Sequence, residues 1–474
     1  MSRLYAHTTM TASIPILSKV TAKFRSNKLF GEAGWVAAPF ATNQVLRLGT
    51  NIVLAGLLAP EIFGLMLLVN TLRTGAELLS DIGIGQSVVR SPNGEDTKFL
   101  NVAWTLQVLR GVLLTTIALV VAYPVAQIYE RPELFWIMLA VSPIFLITGF
   151  HSVNLFLIQR RLELKKRAVF DTAYTVFHCG LSIVLAILIP NVWALVIALV
   201  ASTTFTCVLS YLIGSGPRPS FQWDKAHVHE IVNFGKWIFL STAVYFAATS
   251  YDRLYFVDAL PLALAGVYAV ARSYSEVVSQ VGQRAGAFLV FPKVAAIQDR
   301  RHELAGRIRS TRFKVLALLA VMIGGGMAIS DQFILFAYDE RYHAAAFILP
   351  ILLYAIWFST LSTFSESMLM GCGKPAPGAR ANLVKFAVLL VVLPIAMAQG
   401  TLLTALGVLI GAEVARWAAL VPAARHEGFA KYRDDILLSL AVLVIAGIVK
   451  LGLGALGLVP SPEEWWAMEG LLNG

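Results

Sequence analysis

Arginine suits phosphate oxygens: its planar guanidinium donates two parallel hydrogen bonds and stays protonated at any physiological pH. Arg47, Arg73 and Arg272 lie inside long apolar runs of this chain. A charge at such a position costs about 2.5–3.5 kcal/mol on insertion scales, and faces a partner or a wet cavity. Arg73 and Glu77, and again Arg272 and Glu276, are four residues apart, which puts acid and base on one helix face. Two readings follow: guanidinium groups lining an anion-binding cavity, or internal ion pairs that neutralise each other. Arg47 has no acid within one turn on its own helix, which favours the cavity.

Other charges fall inside apolar runs. Arg110, Arg284, Arg416 and Lys450 are basic; Glu366 and Glu413 are acidic, placed either as proton or sodium sites of a coupled transporter or as helix-packing partners. Asp81 and the pair Asp252-Arg253 fall near expected helix ends, where snorkelling accounts for them. His227-x-His229 has no further ligands at metal spacing, so no metal and no cofactor is expected. Cys179, Cys207 and Cys372 read as small buried hydrophobes. Gly324-Gly325-Gly326 reads as a close helix contact rather than a phosphate loop. No nucleophile–base constellation stands out.

Helices must hold these groups in a membrane. The chain has 474 residues, 57% hydrophobic and 14% charged, with a mean hydropathy of +0.71. A soluble domain carries about 25% charged residues, so disordered and fibrous classes are excluded and a soluble enzyme nearly so, for want of charged surface to keep this much apolar chain in water. Thirteen windows are long enough to cross a bilayer: 34–57, 62–88, 100–125, 134–157, 168–189, 192–213, 231–256, 262–288, 315–336, 344–370, 381–399, 401–421 and 435–459. With the N-terminus inside, 26 of the 38 Lys and Arg fall in inside connections, two in outside ones and ten in the spans. The net charge of +10 is thus a matter of topology and of anionic headgroups, with no nucleic acid implied. The basic runs Arg160-Arg161 with Lys165-Lys166-Arg167, and Arg300-Arg301 with Arg307, Arg309, Arg312 and Lys314, belong to that pattern. Residues 1–30 read as a basic inside segment without the apolar core of a signal peptide.

The first twelve spans form two halves of six. Leu58-Ala59-Pro60-Glu61-Ile62-Phe63-Gly64 in the first matches Leu260-Pro261-Leu262-Ala263-Leu264-Ala265-Gly266 in the second. The Arg-x-x-x-Glu pairs follow those glycines by nine and six residues. Pro143 and Pro350 occupy the outer parts of spans 4 and 10, where they are expected to permit bending. The expected division is 1–30, a first lobe over 31–213, a linker over 214–230, a second lobe over 231–421, and an extra helix with an interfacial tail over 422–474. The fold class is all-α and polytopic, with 12–14 helices in two pseudo-symmetric lobes around a central cavity.

Leu46-Arg47-Leu48-Gly49-Thr50-Asn51, Asp81-Ile82-Gly83-Ile84-Gly85-Gln86-Ser87, Leu157-Ile158-Gln159-Arg160-Arg161, Ala265-Gly266-Val267-Tyr268 and Gly371-Cys372-Gly373-Lys374-Pro375 follow in this order. Over residues 30–421 the chain resembles the polysaccharide exporter and O-antigen flippase family, within the multidrug/oligosaccharidyl-lipid/polysaccharide exporter superfamily. The resemblance implies two lobes forming a V, alternating access, and a polyprenyl-pyrophosphate-linked oligosaccharide as cargo at the bacterial inner membrane. Arg47, Arg73 and Arg272 would then bind pyrophosphate, and Asn43, Gln44 and Asn70 sugar hydroxyls. Glu77 and Glu276 complete that site, and Glu366 or Glu413 would couple it to a cation. Membrane lipids, a polysaccharide polymerase and chain-length machinery are the implied partners. Two alternatives remain: a cation-coupled multidrug exporter, which needs an acidic cavity, and a membrane-embedded glycan polymerase, which needs a large outside loop.

Overall fold

The computed structural model describes residues 28–214, 216–286 and 301–456, and among them every regular element is helical. The first half contains α1 (Lys28–Leu57), α2 (Pro60–Leu79), the short α3 (Ile84–Arg90), α4 (Thr97–Ile128), α5 (Pro132–Val141), α6 (Pro143–Gly149), the short α7 (Asn154–Arg160), α8 (Leu164–Leu188) and α9 (Val192–Leu212). The second contains α10 (Lys225–Ala259), α11 (Leu262–Ala285), α12 (Arg301–Ala337), α13 (Ala345–Gly371), α14 (Ala376–Gln399) and α15 (Leu402–His426), and α16 (Tyr432–Ala455) follows. Each of the thirteen expected windows falls on one of these helices or on a broken set of them. Starts are written locally: Pro60, Pro132 and Pro143 occupy first-turn positions, and Asn191 and Asp224 accept from backbone N–H groups as N-caps.

Among the described residues, ten helical spans are long and apolar enough to cross a membrane on composition alone. The helices α1, α10 and α11 fall outside that set, because polar residues dilute their apolar runs. Large apolar side chains such as Val120, Ile128, Leu188, Leu212 and Leu451 are exposed, as a lipid-facing belt requires. The protein is a multi-pass membrane protein.

The two halves repeat one packing plan. In the first, α1 packs on α8, α8 on α9, and α4 on α5 and α6; in the second, α10 packs on α14, α14 on α15, and α12 on α13. The halves meet where α2 runs along α10 and α11. The two repeat glycines face each other there. A Cβ on Gly266 would lie 1.8 Å from the Pro60 carbonyl oxygen, and one on Gly64 2.6 Å from that of Leu262. Around this crossing an apolar cluster that includes Leu58, Leu65, Leu68, Ile137, Leu262 and Ala265 closes the end opposite the basic connections. From the second half, Tyr342 Oη donates to the Leu58 carbonyl (3.1 Å) and Arg341 to that of Ala55 (3.1 Å).

Some expectations need correction. Windows 62–88 and 134–157 are not continuous helices. The first breaks at Ser80–Gly83, where Gly83 takes φ 67°; the second breaks at Ser142 before Pro143 and again over 150–153. Asp252 does not snorkel. It is buried within α10 and accepts from Tyr268 Oη at 2.5 Å. Arg312 is not a loop cation: it is buried in α12 and bonds both oxygens of Asp435, at 2.5 and 3.0 Å. That pair joins α16 to the second half, together with Trp357 Nε1 donating to Ser439 (2.8 Å) and Lys450 bonding Asp331. Of the glycine run, Gly324 makes the expected close contact, on the Val442 backbone of α16, while Gly325 and Gly326 have open space. Residues 1–27 and 457–474, and Arg300 of the second basic run, lie outside the described residues.

Candidate substrate cavity

Three helices present polar side chains at helical spacing to one space between the halves. α1 contributes Asn43, Gln44, Arg47 and Asn51; α2 contributes Asn70, Arg73 and Glu77; α11 contributes Arg272, Ser273, Glu276 and Gln280. Steps of three and four residues keep each set on one face. The space has three compartments joined through shared walls, with Arg47, Arg73 and Tyr174 each lining more than one.

A vestibule of about 630 Å³ lies between α1, α8 and α11, with Asn43, Gln44, Gln280 and Arg284 on its walls. Gln159, Leu162 and Glu163 of the basic connection also line it, so it opens toward the basic end. Among the described residues, three side-chain contacts bridge α1 and α11. Gln44 donates to Gln280 (2.7 Å), Asn51 to Ser273 (3.1 Å), and the Arg284 guanidinium sits 3.8 Å over the Phe40 ring.

Deeper lies a compartment of about 450 Å³, lined by Arg47, Arg73, Arg253 and Arg272 against the single carboxylate Glu276, with Asn70, Tyr174 and His178 beside them. Glu276 is shared: Arg253 bonds it directly and Arg272 Nε is 3.6 Å away. Arg272 is also 3.6 Å from the buried Asp252. Arg73 pairs with Glu77 at 2.6 Å. Among the described residues Arg47 makes no hydrogen bond or ion pair and is exposed to the cavity. The Nε donors of Arg73, Arg253 and Arg272 find no acceptor. Internal pairing therefore leaves an excess of guanidinium charge and unused donors, which is what an anion with several oxygens matches.

A third compartment, about 790 Å³, lies inside the first half between α2, α4, α6 and α8, and Glu77 faces it.

The structure thus brings Arg47, Arg73, Arg272, Asn70, Glu77 and Glu276 around the inner compartments, and sets Asn43 and Gln44 at the vestibule. Glu366 and Glu413 lie elsewhere, in the interior of the second half. Glu413 bonds Lys385 (2.6 Å) and lies 3.7 Å from Arg416, which bonds Glu366 (2.8 Å). Pro143 opens α6 at a helix break, whereas Pro350 sits inside the continuous α13. Sequence reasoning missed Arg253 as a cavity arginine and Lys385 as a buried cation. A helix-end reading hid the first, and the second sits four residues inside its window. Among the described residues no group of acids, histidines and cysteines has metal-site spacing.

The helical halves and the cavity between them define a polytopic membrane protein with a two-lobed transporter fold. The chain belongs to the polysaccharide biosynthesis protein family, whose model matches residues 53–347. It is 22% identical over 391 residues to the lipopolysaccharide biosynthesis protein WzxC of Escherichia coli (strain K12), a match spanning 81% of this chain and 77% of that one. It is also 22% identical over 319 residues to the succinoglycan biosynthesis transport protein ExoT of Rhizobium meliloti (strain 1021), spanning 67% of this chain and 64% of that one. Among solved structures it is similar to the lipid II flippase MurJ in an inward closed conformation, with a TM-score of 0.72 and 11% identity, covering 92% of this chain and 95% of that one. An inward-facing MATE family multidrug resistance transporter matches with a TM-score of 0.59 and 16% identity, covering 84% and 95%. At these identities the structural matches speak for the fold alone.

Proposed function

We propose that this protein flips a polyprenyl-pyrophosphate-linked oligosaccharide from the inner to the outer leaflet of the bacterial cytoplasmic membrane. Translocation proceeds by alternating access, without bond chemistry, and the N-terminus is cytoplasmic. The observation that carries the reading is the compartment with four arginines and one facing carboxylate. Arg47, Arg73, Arg253 and Arg272 hold the pyrophosphate by charge-assisted hydrogen bonds in a space of low dielectric, where such bonds are strongest. Asn43, Gln44 and Asn70 meet sugar hydroxyls. The prenyl tail stays in lipid and passes between α1 and α11, where side-chain contacts bridge the two helices.

The closed end, sealed around Gly64 and Gly266, parts in the second half of the cycle, with bending at Pro143 and Pro350. Coupling to protons or cations through Glu366 and Glu413 would act by way of the network they share with Lys385 and Arg416, since neither lines the cavity. A polysaccharide polymerase and chain-length machinery receive the product. The names of WzxC, a lipopolysaccharide biosynthesis protein, and ExoT, a succinoglycan biosynthesis transport protein, support a polysaccharide precursor as the cargo. A multidrug exporter would need an acidic cavity, and this one is basic. A polymerase would need an outside catalytic loop, and the described connections at the closed end are a few residues long.

Arg47→Ala tests the site most cleanly, because no internal pair is broken. Its complementation of a strain lacking the gene should fall by at least about tenfold, the worth of one lost charge-assisted bond, and Arg47→Lys should restore part of it. Full function in both Arg47→Ala and Arg272→Ala sinks the assignment.

A further inference from the structure

The compartment inside the first half has no role in the scheme above, and its walls are unusual. Two of the helices that line it end there, each before a short helix: α2 stops at Leu79 before α3, and α6 stops at Gly149 before α7. Each has by then run the length of a membrane span, so the two breaks frame the chamber from its basic end. One helix, α4, holds both breaks open. Its Gln107 Nε2 donates to the carbonyls of Thr148 (3.1 Å), Gly149 (2.9 Å) and His151 (3.0 Å). One turn on, Arg110 bonds the Glu77 carbonyl and Ser80 Oγ (3.0 Å). The chamber these breaks frame is about 790 Å³, within the range of small-molecule sites.

We infer that this chamber is a carbohydrate subsite, which takes the glycan while the neighbouring compartment holds the pyrophosphate; the inference rests on the flippase reading. Charge separates the two. The neighbour sets four arginines against one facing carboxylate, whereas the chamber sets the three arginines Arg73, Arg110 and Arg167 against the two carboxylates Glu77 and Asp81. Carboxylates and guanidiniums side by side suit a polyhydroxyl ligand, which must both donate and accept. Gln86 and Gln159 add amides that do the same, and the rings of Phe145 and Phe156 offer apolar faces for the C–H side of a pyranose. Arg73 and Tyr174 line both compartments, so a glycan joined to pyrophosphate at Arg73 extends into the chamber without leaving the cavity. The lipid gap between α1 and α11 opens from the vestibule. The sugars nearest the phosphates meet Asn43, Gln44 and Asn70, and the rest of the glycan enters the chamber.

The test uses the full chain in lipid nanodiscs and two probes: undecaprenyl pyrophosphate, and the lipid-linked oligosaccharide extracted from a strain lacking this protein. Gln86→Ala, Phe156→Ala and Gln159→Ala combined should weaken binding of the glycan-bearing lipid by at least about tenfold, as the loss of several ligand contacts requires. Binding of undecaprenyl pyrophosphate should stay within about twofold, which also reports an intact fold. Gln159→Ala alone removes an exposed side chain that bonds nothing else in the protein, and should still weaken the glycan probe selectively. Equal loss on both probes, or loss on neither, overturns the subsite. Failure of the unmodified protein to bind either probe overturns the flippase reading itself, a result distinct from the others.

Discussion

The two halves share a packing plan and differ in what occupies their centres. In the first, spans 2 and 4 are broken and surround a chamber; in the second, their counterparts α11 and α13 are continuous and the interior is filled. The most apolar stretch through α13 is 72% buried, against 39% for the matching Pro132–Gly149 stretch. Around α13 lie an apolar cluster that includes Trp357, Phe364, Leu352 and Tyr268, and the linked charges Lys385, Glu413, Arg416 and Glu366. α16 braces the same half through Arg312–Asp435. Among the described residues, the repeated scaffold has therefore diverged into a hollow half and a more densely filled one. The arginine compartment lies on the seam, drawing Arg47 and Arg73 from one side and Arg253 and Arg272 from the other.

The sharpest way to break this comparison is to unbalance the more densely filled half. Lys385→Met leaves Glu413 buried with only the more distant Arg416. Removing one member of a buried pair costs about 3–5 kcal/mol. Thermal unfolding in detergent should show that loss, and Lys385→Met with Glu413→Gln should recover most of it. A single variant as stable as the parent would mean that the charges do not hold this interior together.

Much of this was legible in the sequence, for definite reasons. Apolar length located the spans, and the division of cations between loops agreed with their count, because loop charge is set by insertion rather than by tertiary packing. Arg47, Arg73 and Arg272 were found by type alone, since a guanidinium in an apolar run needs a reason. Pairings across the fold were not legible: Gln44 meets Gln280, and Arg253 meets Glu276, through helix contacts that chain spacing cannot display. The helix breaks escaped because hydropathy averages over them, although Gly83 and Pro143 mark two of them in plain view. The chamber escaped with them, as it exists only where those breaks face each other.

The hollow half should depend on backbone capping rather than on ion pairs. Gln107→Ala removes the amide that the Thr148, Gly149 and His151 carbonyls share at the end of α6 and, among the described residues, leaves only Thr148 with another donor, the His151 N–H. Water in the chamber replaces part of what is lost, so the expected destabilisation is about 1–3 kcal/mol, less than that of Lys385→Met. Glycan-lipid binding should fall with it, because the break shapes the chamber. A cost equal to or above that of Lys385→Met, by the same unfolding measurement, would reverse the order of the two halves.

The smallest effect belongs to the rim of the hollow half, where Arg161 bonds both oxygens of Glu95, at 2.9 and 3.3 Å. The hydrogen bond from Arg161 holds the Glu95 carboxyl below its usual range, with desolvation opposing and the charges of Arg161 and Arg160 assisting. A depressed carboxylate stabilises the fold above its unfolded value of about 4.3, and that contribution disappears as pH falls through the lower folded value. The melting curve of Glu95→Gln should therefore lie slightly below the parent's at neutral pH and merge with it in acid. The pair is solvent-exposed, where water and salt screen it, so the separation should shrink further at high ionic strength. A gap at neutral pH as wide as that of Gln107→Ala would show that surface charge, and not the capped breaks, keeps the hollow half in shape.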